Sequence, residues 1–172
     1  MPDPEPSFDI IIIRDKPCWE KSIAEWKALI RPAVFETLHQ SRWPKSAEIN
    51  ILLTNNDKIQ DLNKKYRGIN EPTNVLSFPS FEPEEIFNLK AAKGLSEPIV
   101  LGDIALAYET IQEESSNQNK PFDHHLIHLT IHGVLHLLGF DHEKDEDAVE
   151  MESLEIKILS SLIIPNPYEE QR

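Results

Sequence analysis

The sequence predicts one layered domain of the α+β or α/β class, with strands and helices interspersed before a helical C-terminal part. The chain has 172 residues, which is enough to bury one sizeable core and is ordinary for a single domain. Short β-branched runs lie between segments of helical periodicity, and two apolar patterns of helical spacing close the chain. We expect the domain to span 8–165, with disordered tails at 1–7 and 166–172.

The first half of the chain predicts two strands and two helices. Residues 8–13 and 48–54 are short runs rich in isoleucine and leucine, which is typical of strands. Between them, apolar residues recur at helical spacing from 19 to about 39, and Pro32 should kink or divide that helix. A second helix should span 55–66, because asparagine side chains at its start can serve as N-caps.

The second half predicts two further strands and three helices. Residues 82–97 are acidic and interrupted by proline and glycine, and we interpret them as a surface loop. The predicted elements are a short strand at 72–79, a strand at 99–107, and helices at 108–116, 121–138 and from 145 to about 162.

Composition indicates an ordinary soluble protein of a reducing compartment. Hydrophobic residues make up 40% of the chain and charged residues 27%, and no apolar stretch has the length of a membrane span. The single cysteine, Cys18, excludes an internal disulfide. The proline-rich start lacks the basic and apolar regions of a secretory signal. We therefore expect a cytoplasmic protein with no membrane partner.

The acidic charge of the chain argues against a nucleic-acid partner unless the basic residues are clustered. The formal net charge is −13, and such a surface repels phosphate backbones at long range. One cluster exists, because Lys64, Lys65 and Arg67 lie together near the end of the second predicted helix. Charge runs of this kind are commonly solvated helix faces, but these residues are also candidates to contact an anionic substrate.

The strongest chemical signal is a set of three histidines within eleven residues. His132 and His136 stand four positions apart, so on a helix they share one face with Cβ atoms about 5–6 Å apart. Gly139 can adopt the left-handed conformation that ends a helix, and His142 can then return as a third ligand. Three neutral imidazoles leave one metal position open, as in catalytic zinc sites. The motif predicts a metal-dependent hydrolase with zinc as the expected ion and nickel or iron as alternatives.

One residue of the motif argues against a protease. The histidine spacing is shared with the metzincin proteases, which carry a glutamate directly after the first histidine as general base. Here that position is Gly133, which can do no acid–base chemistry. Peptide hydrolysis by that route is therefore disfavoured.

Further candidate site residues lie outside the histidine motif. The Arg67 guanidinium could hold a phosphate oxygen and stabilise charge in a phosphoryl transition state, which together with a metal indicates phosphodiester cleavage. Ser77 lies in the strand that follows Arg67 and is a candidate substrate contact. His128 lies one helical turn before His132 and is a candidate substrate-facing base, an additional metal ligand or a residue that supports the ligands.

These residues together resemble the YbeY family of zinc-dependent endoribonucleases, which are involved in rRNA maturation. The resemblance rests on the histidine motif at 132–142 and on motifs at 62–68, 73–79 and 101–104. It implies an α+β sandwich with a small, mainly parallel four-stranded sheet that has one antiparallel strand and is packed by helices. It also implies a metal site on the penultimate helix and the following turn.

By the same resemblance, one zinc ion would be bound by His132, His136 and His142, and Arg67 and His136 would be catalytic. We expect the substrate contacts to be Lys64, Lys65, Arg67, Ser77 and His128. The implied substrate is single-stranded rRNA, processed at the 3′ end of the small-subunit rRNA and during ribosome quality control. The implied partners are the small ribosomal subunit with its associated proteins or a GTPase, and we expect the protein to be a monomer.

Two other functions stay open at this stage. One is a metallohydrolase of peptides or small molecules, and Gly133 argues against its peptidase form. The other is a non-enzymatic ribosome assembly factor in which the metal only stabilises the fold. In that case His136→Ala would lower the melting temperature and leave RNA processing unchanged.

Overall fold

The computed structural model of the protein describes residues 4–94 and 97–169, which form four strands and six helices. The strands are β1 (Phe8–Arg14), β2 (Ala47–Thr54), β3 (Val75–Pro79) and β4 (Ile99–Ala107). The helices are α1 (Ile23–Gln40), α2 (Asn56–Arg67), α3 (Pro83–Ala91), α4 (Tyr108–Asn117), α5 (Phe122–Leu137) and α6 (Asp145–Ser161). None of the described helices is both long enough and apolar enough to cross a bilayer.

The four strands form one sheet in the order β1-β2-β4-β3. Strand β2 pairs in parallel with both β1 and β4, whereas β3 pairs with β4 in the antiparallel sense. Parallel neighbours need long crossover connections, and α1 provides the first of them. The predicted α+β class, the mainly parallel sheet and the position of the histidine motif on the penultimate helix are confirmed.

Helices cover both faces of the sheet, which gives the predicted sandwich. Alternate residues along β1 and β2 are buried, as the two-residue period of a strand requires, among them Ile12 and Ile51. They share one cluster with Trp26 of α1 and Val134 of α5. On the opposite face, Ile59 of α2 packs against side chains of β3 and β4 in a smaller cluster.

Helix α5 is buried on several sides, which explains why the segment that carries the histidines is so apolar. Leu137 belongs to the cluster on the sheet, while Ile131 and Leu135 belong to the cluster formed with α6. His132 and His136 are only partly buried on the remaining side. The fold therefore holds α5 firmly and exposes one strip of it.

The interpretation of residues 82–97 as a surface loop is wrong for most of their length, because α3 occupies Pro83–Ala91. The helix has a proline at its start and two glutamates in its first turn, both of which favour a helix N-terminus. Ile86 is buried and Leu89 packs against the main core, so one side of α3 is apolar. Residues 95–96 of the predicted loop lie outside the described part of the chain.

Helix α1 begins later than predicted, and Pro32 does not divide it. Its start is set by a capping box, in which the Ser22 hydroxyl accepts from the Glu25 N–H and the Glu25 carboxylate accepts from the Ser22 N–H. Trp19 precedes the helix and is fully buried, and its indole N–H donates to a carbonyl of β2 at 2.7 Å. The first part of the apolar pattern, which begins at Trp19, thus belongs to the connection between β1 and α1, and this connection packs into the core.

The segments predicted as disordered tails are described only in part, since 1–3 and 170–172 lie outside the described residues. In the second segment, Tyr168 is partly buried and its hydroxyl donates a hydrogen bond to Glu155 of α6. That residue is therefore packed against the domain rather than free. The domain boundaries themselves stay a prediction.

Gly102 allows α5 and β3 to lie close to β4, and we expect Gly102→Ala to be strongly destabilising. An added Cβ would overlap the Phe78 carbonyl oxygen and lie 2.9 Å from Leu137 Cδ2, and φ at this position is +142°. Overpacking and backbone strain together should lower the free energy of unfolding by roughly 2–5 kcal/mol. Urea denaturation measures the change.

Gly68→Ala is the matched control for that experiment. Its φ is also positive, at +72°, but a Cβ there would meet no atom within 4 Å. We expect a loss of about 1 kcal/mol from the left-handed backbone alone. Equal losses in the two variants would show that the close approach at Gly102 does not matter.

Candidate metal centre

Two histidines of α5 converge on one point. His132 and His136 lie one helical turn apart, and their Nε2 atoms are 3.0 Å from each other. The Nδ1 atom of His132 faces the Glu155 carboxylate at 2.6 Å, and the Nδ1 atom of His136 faces the Phe140 carbonyl oxygen at 3.0 Å. Because these oxygens can only accept, each Nδ1 carries a proton, and Nε2 is the atom that a neutral ring can offer to a metal. At 3.0 Å, the two Nε2 atoms are close enough to bind one cation together or to share a proton.

The third histidine reaches the same point because the chain reverses after α5. Gly139 has φ of +89°, which an L side chain rarely adopts, and a Cβ there would lie 3.2 Å from Pro83 Cα of α3. The His142 ring lies 5.5 Å from the His132 ring and 5.1 Å from the His136 ring, measured between centroids. One ligand atom from each of the three histidines falls within 4.8 Å of the others.

These residues fit a divalent metal ion. The donor set consists of three imidazole nitrogens, which suit zinc, nickel and iron. Burial and then the neighbouring His132 and His142 lower the pKa of His136 to about 4, so its ring is neutral at neutral pH. A neutral ring is the form that binds a metal. Three protein ligands leave a further coordination position open.

Glu155 holds the His132 ring through its Nδ1 atom, on the side away from Nε2. Its side chain is 1% exposed, and its second oxygen lies 3.0 Å from His128 Nε2 and accepts from the Tyr168 hydroxyl. Burial alone would raise the pKa of Glu155, but the hydrogen bonds from His128 and His132 outweigh it and hold the pKa at about 2. The carboxylate is therefore ionised. Carboxylates in this position fix the tautomer and orientation of metal-binding histidines.

The three histidines line a cleft of about 740 Å³. Its walls are residues of β3, the end of α2, the segment leading into α3, and the turn after α5. Arg67 belongs to this wall, and its guanidinium donates to the Ser77 carbonyl oxygen at 2.7 Å. One hydrogen bond engages only part of the five-donor guanidinium, so the group is held in the wall of the cleft while retaining donors for an anion.

The structure brings some of the predicted site residues together and separates others. Arg67 and Ser77 share the cleft with the three histidines, and the Ser77 hydroxyl donates to the Gly133 carbonyl at 3.0 Å. Lys64 and Lys65 are exposed on α2 and are not among the cleft-lining residues. His128 is directed at Glu155. The substrate contacts assigned to these residues stay predictions.

Gly133 faces the sheet rather than the metal position. A Cβ at this residue would lie 3.2 Å from two methyl carbons of Ile104 and from the Ser77 hydroxyl oxygen. The glycine therefore allows α5 to lie close to β3 and β4. A glutamate at this position would have to displace the helix from the sheet.

Sequence reasoning missed the role of Glu155. One signal was present, because Glu155 interrupts the apolar side of α6 formed by Met151, Ile158 and Leu159, all of which are buried. A charged residue on a buried helix side is rare unless it is paired. Its partners lie 23 and 27 residues earlier on α5, which local patterns do not reveal.

An α+β sandwich with an open three-histidine centre and a tethered arginine defines a class of candidate metal-dependent enzymes. Comparison with known families gives the particular family, because the model described as "Endoribonuclease YbeY" matches residues 14–163. The chain belongs to the YbeY family. The resemblance predicted from the histidine motif is thereby confirmed, and so is the prediction that the protein is an enzyme.

Several curated relatives carry the same description, "Endoribonuclease YbeY". The protein from Bradyrhizobium diazoefficiens is 44% identical over 95% of this chain and 85% of its own length. The protein from Nitrobacter hamburgensis is 46% identical over 96% of this chain and 84% of its own length. A solved structure, that of TM1509 from Thermotoga maritima, matches with a TM-score of 0.54 over 91% of each chain. At 22% identity, that structure supports the fold alone.

Glu155→Gln should reduce the loss of stability at acid pH in the metal-free protein. The pKa of Glu155 in the folded protein, about 2, lies below its ordinary value of 4.5. The stabilisation is therefore present above about pH 4.5 and is lost as the pH falls toward 2, amounting to about 3 kcal/mol. Urea denaturation at a series of pH values measures it.

Glu150→Gln is the matched control, because Glu150 is an exposed glutamate of the same helix. We expect it to follow the wild-type pH dependence. If both variants match the wild type between pH 4.5 and 2, Glu155 does not stabilise the fold through its charge.

Proposed function

We propose that the protein is a zinc-dependent endoribonuclease of single-stranded RNA that acts in maturation of the small-subunit rRNA 3′ end and in ribosome quality control. One observation carries this proposal. A guanidinium tethered to β3 and an open three-histidine centre line the same cleft. A phosphodiester has the charge and the oxygen atoms that both groups recognise.

The three histidines and Arg67 have different roles in the proposed reaction. His132, His136 and His142 would hold the ion, which when bound supplies Lewis acidity and lowers the pKa of bound water. Arg67 binds phosphate oxygens and offsets the charge that develops in the transition state. Its bond to Ser77 fixes its position before substrate arrives, so little reorganisation is needed.

The free edge of β3 also favours RNA over peptides. Proteins often bind peptides by adding them as a strand to a sheet edge, and β3 lines the cleft at the edge of the sheet. The Ala107 N–H donates to the Asn74 carbonyl at 3.0 Å, so Asn74 turns toward β4. Backbone directions alternate along a strand, and Val75 and Ser77 therefore turn toward the free edge.

Side chains already occupy two of the hydrogen-bonding groups of that edge. The Val75 N–H donates to the Asn74 side-chain oxygen, and the Ser77 carbonyl accepts from Arg67, both at 2.7 Å. Pro79 has no N–H to offer. A peptide laid along β3 would have to break these bonds. Together with Gly133, this disfavours the peptidase alternative.

The acidic charge of the chain is compatible with RNA because the positive charge is placed locally. Arg67 stands in the cleft, and Lys64 and Lys65 are exposed on the same helix, where they can meet the flanking phosphates. A protein of the small ribosomal subunit or a GTPase would bring the monomeric enzyme to its rRNA and offset weak intrinsic affinity. We place this activity in the cytoplasm.

Cleavage of a labelled single-stranded RNA tests the proposal. We expect Arg67→Ala to lower kcat/KM by about 10²–10³-fold, since it removes a donor to the transition state. His136→Ala should abolish cleavage and reduce bound zinc below one ion per chain. Arg31→Ala, an exposed arginine of α1, is the matched control and should cleave like the wild type.

Two results would contradict the proposal. Equal cleavage by all variants would mean that the activity comes from a contaminant. A lowered melting temperature of His136→Ala with unchanged RNA processing would favour the assembly factor with a structural metal.

A further inference from the structure

The C-terminal segment contributes a side chain to the network behind the metal centre. The Tyr168 hydroxyl donates to Glu155 Oε2 and lies 3.3 Å from His128 Nε2. The Tyr168 and His128 rings meet edge to face, with centroids 5.6 Å apart and planes at 87°. Tyr168 touches none of the three metal-site histidines in this arrangement; it reaches His132 through Glu155.

The backbone around Tyr168 is held in place by two further hydrogen bonds. Lys120, just before α5, donates from Nζ to the Pro167 carbonyl at 2.8 Å. The Asn166 side-chain oxygen accepts from the Tyr168 N–H at 2.8 Å, which forms a local turn. Pro167 is buried. These contacts fix the position of the backbone that carries the tyrosine ring.

Hydrogen bonds set the orientation of the network around Glu155. A cavity of about 200 Å³ lies against it, lined among others by Tyr168, His128 and His132. Side chains that border a cavity have room to change rotamer. Glu155 accepts from His132 at one oxygen and from His128 and Tyr168 at the other. Without the Tyr168 hydroxyl, Oε2 of Glu155 would keep only the His128 donor.

We propose that Tyr168 is a positioning residue for the metal centre. Its hydroxyl, together with His128, holds Glu155 in the orientation that keeps the proton on Nδ1 of His132 and directs the Nε2 lone pair of His132 at the metal position. The segment predicted as a tail thus serves the metal site. This inference rests on the metal binding in the proposed function and does not depend on RNA cleavage.

Metal affinity of the purified full-length protein tests the inference. Zn²⁺ affinity is measured by competition with a chromophoric chelator, and Co²⁺ absorption reports the geometry of the bound ion. We expect Tyr168→Phe, which removes only the hydroxyl, to weaken Zn²⁺ binding about tenfold, as is typical when a group supporting a metal ligand is lost. The Co²⁺ spectrum should change as well.

Tyr108→Phe is the matched control, because Tyr108 packs against Trp19 and Phe122 with ring centroids 5.4 and 5.1 Å away, outside the network around Glu155. It should bind Zn²⁺ like the wild type. A second comparison places Tyr168→Phe in the Glu155→Gln background. If Tyr168 acts through Glu155, the tyrosine substitution should weaken binding there by less than twofold.

Wild-type affinity in Tyr168→Phe, or an undiminished tenfold loss in the Glu155→Gln background, would overturn the inference. Thermal melting of each variant shows that it is folded; if Glu155→Gln is not, the comparison of Tyr168→Phe with Tyr108→Phe decides. A wild type that binds Zn²⁺ but cleaves no RNA would refute the proposed function. The Zn²⁺ affinities of the variants would then still decide this inference. A wild type that binds no metal would refute both.

Discussion

The pairing of a buried carboxylate with its donors is the interaction on which the site depends. An isolated carboxylate in the interior costs several kcal/mol, and removing a partner from a buried charge is more damaging than replacing the whole set. Glu155 meets this cost with hydrogen bonds from His128 and His132 of α5 and from Tyr168 of the C-terminal segment. The orientation of the His132 imidazole therefore depends on the packing of α6 and the C-terminal segment against α5.

A second constraint is how closely α5 approaches the sheet. Glycines at 102 and 133 remove the Cβ atoms that would separate the helix from β3 and β4. This contact brings the histidine side of α5 next to the edge strand, where Arg67 also arrives from α2. The histidines and Arg67 come from different parts of the chain and meet in one cleft. The glycine that stands where the proteases carry their base also lets α5 lie against β3 and β4.

The sequence was most informative where the chemistry is local. Histidines four apart on a helix and a glycine at its end define their geometry within eleven residues, and the structure places the ligand atoms together. Glu155 could not be assigned, because its partners lie on another helix. Helix α3 was missed because its acidic start and proline were interpreted as loop composition. Lys65 and Arg67 are two residues apart, so the helix directs them to different sides, and of these two only the arginine lines the cleft.

The arginine on the edge of β3 has a consequence beyond substrate binding. Exposed sheet edges are templates for pairing with another chain, and proteins commonly protect them with charged side chains and prolines. Arg67 covers the Ser77 carbonyl, and Pro79 ends the same edge without an N–H. The guanidinium therefore also protects the protein from edge-to-edge self-association. Because the guanidinium has further donors, it can keep this bond while it binds an anion, so the edge stays covered.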